Sequence, residues 1–262
     1  MEEIILTPKK QAQAGLEGGV ITPDSFAGKT LGEIRNLEVL EGNKKAKLGD
    51  YFSVNGKTAK DPENQKITIN GDVSKTKNIG RDMTGGIINI KGSAGMYVGR
   101  NMKGGKLIVN GDVGPFSGQE MGGGELIVKG DSGDYLGCAY RGDWRGMRGG
   151  SILVEGKVGN EVGEYMMGGK ITINGDAGFF VGLNMKKGLI VVNGKAPGRV
   201  GASMHGGSIV ISEIANLMPS FKPEGEEVDP EIDGELFKGR YLKYSGDYAE
   251  RDAKGMLYLK KG

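Results

Sequence analysis

Apolar and polar residues alternate in short bursts along the middle of the chain, and glycine frames each burst at fixed distances. The pattern is Gly, two residues, Met, two residues, Gly, then apolar and variable positions in alternation up to a last Gly, thirteen residues in all. Seven copies occur: GRDMTGGIINIKG from Gly80, GRNMKGGKLIVNG from Gly99, GQEMGGGELIVKG from Gly118, WRGMRGGSILVEG from Trp144, GEYMMGGKITING from Gly163, GLNMKKGLIVVNG from Gly182 and GASMHGGSIVISE from Gly201. Period-two alternation predicts one strand per copy with a single buried face. The buried set forms columns: Met83 to Met204 in the methionine slot, Ile88 to Ile209 and Ile90 to Ile211 in the strand, and a looser column just before the first glycine, including Ile79, Val98, Leu136, Val162, Val181 and Val200.

Consecutive starts lie nineteen residues apart, except the step from Gly118 to Trp144, which is twenty-six. One short strand per copy, with Gly-punctuated bends filling the rest, predicts an all-β, single-stranded parallel β-helix (a solenoid) of about seven or eight coils, in which equal slots stack about 4.8 Å apart. Glycine supplies the positive φ of tight corners, and unbranched methionine fills a narrow inner column. The Asn-Gly pairs beginning at Asn70, Asn110, Asn174 and Asn193 leave a hairpin-built antiparallel sandwich or barrel as the alternative. That reading requires a second alternating run after each pair, whereas DVGPFSG or DAGFFVG follows.

The pattern divides the chain into three parts. Residues 1–65 are expected to form an N-terminal cap, with a short strand at Ile4 to Leu6, a helix entered at Thr22, Pro23 and Asp24, and strand-like segments around Val39 and Phe52. Residues 66–213 carry the coils, since KITING from Lys66 matches the strand half of later copies. Residues 214–262 begin with a Pro- and Glu-rich connector and end in an aromatic tail that caps the array or meets a partner. The seven extra residues of the long step fall within Cys138 to Trp144 and should protrude from one corner.

Composition narrows the function. Fifty glycines in 262 residues, with 8 prolines and no triplet period, exclude collagen and make glycine an architectural residue. Thirty-five Lys and Arg against 33 Asp and Glu give a net charge of +2 without blocks, which predicts protein partners rather than nucleic acid or a membrane surface. A single cysteine excludes an internal disulfide and fits a reducing cytoplasm, and the acidic start MEEIILTPKK does not read as a signal peptide.

Catalytic and metal-binding signals are weak. Asp72, Asp112, Asp131 and Asp176 recur only once per coil, unlike the nonapeptide Gly/Asp repeat of a calcium roll. The Gly-Gly-Lys strings ending at Lys106 and Lys170 run straight into apolar strands, without the rest of a phosphate loop. His205 occupies a variable slot that should face outward, and Cys138 has no histidine near it in sequence. No catalytic, cofactor-binding or metal-binding residue is assigned in this chain. Candidate partner contacts are Cys138, Tyr140, Arg141, Trp144 and Arg145 in the insertion, and Tyr241, Tyr244 and Tyr248 in the tail, because aromatic and Arg residues dominate interface hot spots.

The seven-copy motif, with GVITPDSFAGKTLGEI and LGDYFSVNG before it and YLKYSGDYAERDAKGMLYLKK after it, resembles the C subunit of formylmethanofuran dehydrogenase over the whole chain. The repeat alone also resembles the C-terminal domain of the glutamate synthase large subunit and a subunit of a formyltransferase/hydrolase complex. The first resemblance implies a non-catalytic scaffold in an oxidoreductase complex of methanogenesis and one-carbon metabolism. In that family other subunits reduce CO2 with ferredoxin electrons and form N-formylmethanofuran. It implies partners that are pterin-carrying, formate dehydrogenase-like and amidohydrolase-like, holding a Mo- or W-bispterin, iron–sulfur clusters and a binuclear metal site. A free-standing β-helix enzyme such as a polysaccharide lyase is the remaining alternative.

Overall fold

The computed structural model describes residues 1–261. Apart from three short helices, Pro23–Phe26, Leu31–Arg35 and Leu48–Tyr51, and one 3-10 turn, the regular structure is β. The N-terminal helices follow their capping signals: the Thr22 hydroxyl accepts from the Ser25 N–H at 3.0 Å, and Thr30 with Glu33 forms a capping box.

Alternation in the repeat becomes a strand as expected. In Lys106–Val109, Leu107 and Val109 are fully buried while Lys106 and Ile108 face outward. Gly105 and Gly124, each just before a strand, hold φ of +76° and +81°. A Cβ on Gly124 would sit 2.8 Å from the Gly104 carbonyl, so the corner demands glycine for both its conformation and the approach of the preceding copy.

These strands join one thirteen-stranded sheet. From Glu2–Pro8 through Gln65–Ile69, Ile87–Ile90 and each later repeat to Gly255–Lys260, neighbours pair in parallel, and Ile88, Leu107, Leu126, Ile152, Ile171, Ile190 and Ile209 stand in one register row. The antiparallel sandwich is thereby excluded. Away from the sheet, copies also touch: parallel bridges link Val73, Ala94, Val113, Ser132 and Val158 in sequence. The N–H groups of Lys103, Gly122, Arg148, Met167, Lys186 and His205 each donate, at 2.8 Å, to the carbonyl of the methionine one copy earlier. All four apolar columns are enclosed, and the seven slot methionines are each 0% exposed. Burying each such side chain contributes roughly 1.5–3 kcal/mol. In the looser column Ser117 fills the vacant place, buried and donating to the Gly114 carbonyl at 2.9 Å.

Three features go beyond the repeat itself. The parallel ladder runs past both ends of the periodic sequence, because Glu2–Pro8 and Gly255–Lys260 add rungs with no glycine pattern. Gly137 holds the corner of the long copy, at φ +67°, as an insertion at Cys138 to Trp144 requires: Met147 N–H donates to the Gly137 carbonyl just as Met121 donates to Gly118. Trp144 heads the motif in sequence but lies outside it in space. The recurring aspartates serve the backbone, since Asp112, Asp131 and Asp176 accept N–H bonds from Asp131, Lys157 and Lys195 of the next copy at 2.8–3.0 Å. Both ends of the sheet turn antiparallel, to Phe52–Gly56 at one end and to Arg240–Gly246 and Lys222–Val228 at the other. Phe221 covers the last corner, its ring 2.7 Å from where a Cβ of Gly201 would stand.

Candidate functional site

The insertion leaves the array at Gly137 and returns at Met147. Cys138 is still inside, fully buried, its Sγ 3.9 Å from Gln119 Nε2. Burial above all, then the nearby Glu164 carboxylate, pushes its thiol up to about 12, which makes it an inert core group at neutral pH. The chain then turns outward: Tyr140 and Trp144 are 51% and 53% exposed. Asp143 holds the turn, its carboxylate accepting from the Trp144 and Arg145 N–H groups and from the Arg145 guanidinium at 2.7–3.1 Å. The Arg145 hydrogen bond lowers its carboxyl to about 2.

Three cationic groups brace the loop. Arg100 lies 5.1 Å from the Tyr140 ring centroid, Lys186 Nζ is 4.2 Å from that of Trp144, and Arg145 stacks on Trp144 from within the loop. Beside them the corner slot that carries Tyr97, Phe116 and Tyr135 forms a stack with centroids 5.1 and 4.7 Å apart. These bulky residues hold φ of 62–64°, a strained region for a side chain of this size, and the stack offsets that strain. The signal for it was aromatic recurrence at the nineteen-residue step, which the apolar columns overshadowed. Loop and array enclose an open cleft of about 430 Å³ lined by Tyr140, Arg141, Trp144, Tyr135, Glu161 and Glu164, where burial and the neighbouring Glu161 raise the Glu164 carboxyl.

Of the residues singled out in the sequence, Tyr140, Arg141 and Trp144 share this cleft, with Arg145 against Trp144. Cys138 is enclosed by its own chain and presents no surface. The tail tyrosines diverge. Tyr241 is buried with Leu189 and Ile232 on the outer face of the sheet, Tyr244 is half-buried against the main core, and Tyr248 is 65% exposed with its hydroxyl donating to the Pro219 carbonyl at 3.0 Å. None of the three lines the cleft.

The donor set does not fit a resident metal or cluster. Among the described residues no three His, Cys, Asp or Glu converge, the one thiol is buried and protonated, and His205 faces outward with Glu250 at 4.0 Å. Pterin metals and iron–sulfur clusters need thiolate or several convergent donors, which these residues do not provide. No helix among the described residues is long and apolar enough to cross a membrane.

No protein-family model matches the chain. The C subunit of the tungsten-containing formylmethanofuran dehydrogenase 2 of Methanothermobacter thermautotrophicus is 65% identical over 263 aligned positions, covering 100% of this chain and 97% of that protein. Its counterpart in Methanothermobacter marburgensis is 61% identical over the same span. Among solved structures, a chain of the formyltransferase/hydrolase complex of Methylorubrum extorquens, crystallised with methylofuran, superposes with a TM-score of 0.86 over 98% of this chain and 100% of that one, at 25% identity. Identity of this order, held from the first strand to the last rather than over the glycine repeat alone, means that the chain belongs to the family of formylmethanofuran dehydrogenase C subunits.

Proposed function

We propose that this chain is the non-catalytic scaffold subunit of a tungsten-containing formylmethanofuran dehydrogenase. The observation that carries the reading is the 65% identity along the full length to the C subunit of such an enzyme. Its repeat region winds as a single-stranded parallel β-helix, capped by residues 1–65 and 214–262. The nineteen-residue register, the bridges away from the main sheet and the methionine-carbonyl bonds between copies support that winding. A rod held by backbone bonds on several faces suits a body against which catalytic subunits are fixed.

In this reading the pterin-carrying, formate dehydrogenase-like subunit and the amidohydrolase-like subunit are the partners. They hold the tungsten bispterin, the iron–sulfur clusters and the binuclear metal site. The complex reduces CO2 with ferredoxin electrons and forms N-formylmethanofuran. Tyr140, Arg141, Trp144 and Arg145 of the loop, with Tyr244 and Tyr248 of the tail, are the proposed contacts; the enclosed Cys138 and Tyr241 are not among them.

Purification of the native complex tests the assignment. Tungsten should co-elute with this chain in constant ratio, and recovery of the assembled complex without tungsten or molybdenum would sink it. The structural likeness to the formyltransferase/hydrolase complex supports a second reading, a complex that moves formyl groups without redox chemistry. Ferredoxin-dependent reduction separates the two, because only the dehydrogenase shows it.

A further inference from the structure

The outward face of the parallel sheet carries one row whose character changes along its length. Val191, Val210 and Tyr258 stand in register at one end, in one cluster with Tyr241 of the adjoining strand and with Ile232 packed against them. Ile232 comes from a two-stranded hairpin, Glu231–Ile232 paired with Glu235–Leu236, that folds back over the sheet. Its Glu235 carboxylate meets Lys170, an outward residue of Met167–Ile173, at 2.6 Å, and Thr172 occupies the row on that strand. Beyond it the same row continues with Leu153, Ile127 and Ile108, and turns polar at Asn89 and Thr68.

Ile108, Ile127 and Leu153 are therefore the counterparts of Val210 and Val191, without the hairpin. They are half-buried, and neither apolar cluster among the described residues includes them. Charge on both flanks is cancelled along the sheet: Lys106 meets Glu125 at 2.8 Å on one side, and Lys129 meets Glu155 on the other. Three rungs at about 4.8 Å make a strip roughly 10 Å across, the width a two-stranded hairpin covers.

We infer that Ile108, Ile127 and Leu153 seat an uncharged, apolar hairpin of a different subunit, which continues along the outer face the cover begun by this chain's own Glu231–Leu236 hairpin. The occupant follows from that continuity, since the same row three rungs away is closed by a short hairpin inserting an isoleucine. The neutral flanks match an uncharged segment and give no hold on a charged one. The inference rests on the reading of the chain as a subunit of a complex.

Two experiments on the full chain test it. Ile127→Cys introduces an accessible thiol against a background in which Cys138 is enclosed. Its alkylation should slow at least tenfold in the native complex relative to the isolated chain, and equal rates would overturn the proposal. The Ile127→Lys/Leu153→Lys double variant touches no inner column, so the isolated chain should keep its melting temperature within a few degrees while losing at least tenfold of its co-purifying catalytic subunits. Undiminished recovery of those subunits would overturn the seat, and if the variant fails to fold the cysteine labelling decides. A wild-type chain that recovers no catalytic subunit fails the scaffold reading instead. Self-association of the isolated wild type that the lysines abolish would assign the seat to a second copy and overturn the inference.

Discussion

The array and the loop that interrupts it use the same residues to opposite ends. In the array a glycine corner is filled from outside: a Cβ at Gly124 would collide with the Gly104 backbone, whereas at Gly142 in the loop, with a similar φ of +86°, it would meet nothing within 4 Å. Aspartates differ in the same way. Asp112 and Asp131 reach across to the next copy, while Asp143 turns back on its own loop. Stability in the array belongs to neighbours, whereas the hydrogen bonds that shape the loop's turn are its own, with Arg100 and Lys186 of the array bracing only its aromatic rings. The contrast teaches that glycine content does not mark flexibility here; what stands about 4.8 Å away does.

The largest test of that contrast is Met121→Lys, which places an ammonium in a fully enclosed column and should cost at least about 4 kcal/mol by thermal or urea denaturation. An unchanged midpoint would put Met121 outside. Next is alkaline pH. The Cys138 thiol is raised to about 12 from its ordinary 9.0, so the fold favours its protonated form. That contribution is complete below about pH 9 and is lost as pH climbs through 9 toward 12, up to about 4 kcal/mol in the limit. Comparing stability of wild type and Cys138→Ala at pH 8 and 11 should show the gap narrowing or reversing, and a constant gap would deny the burial.

Gly124→Ala should then cost roughly 2–4 kcal/mol, against about 1 kcal/mol for Gly142→Ala, where only backbone strain acts. Equal losses would erase the distinction between filled and open corners. Asp131→Ala, removing the acceptor of the Lys157 N–H, should cost about 1 kcal/mol in a denaturant titration. Smallest of all, Asp143→Ala should leave the melting temperature unchanged while loosening the loop, visible as faster proteolysis near Trp144.

Much of this was legible in the residues. Column identity, the strand in each copy, the Thr22 helix start and the place of the insertion follow from rules that act within a few residues, or that repeat often enough for periodicity to expose them. The insertion could be placed after Gly137, although Trp144 heads the thirteen-residue match, because a corner is chosen by which residue tolerates positive φ at the right place, and Gly137 does so before the loop begins. The tyrosines of the tail looked alike in sequence, yet Tyr241 is covered and Tyr248 bare, since Tyr241 lies in a strand of the sheet beside the hairpin and Tyr248 in the turn that follows.

The sequence by itself determined the repeat, its inward columns and the membership of the chain in its family, because a stacked array writes each contact once per copy in the same slot. Only the tertiary structure decided that the first and last strands extend the ladder, that Cys138 is sealed, and that half of one outer row is closed by the chain's own hairpin while the other half is open. Those outcomes join residues far apart in the chain, and they occur once each. Periodicity has no means of recording a contact made a single time.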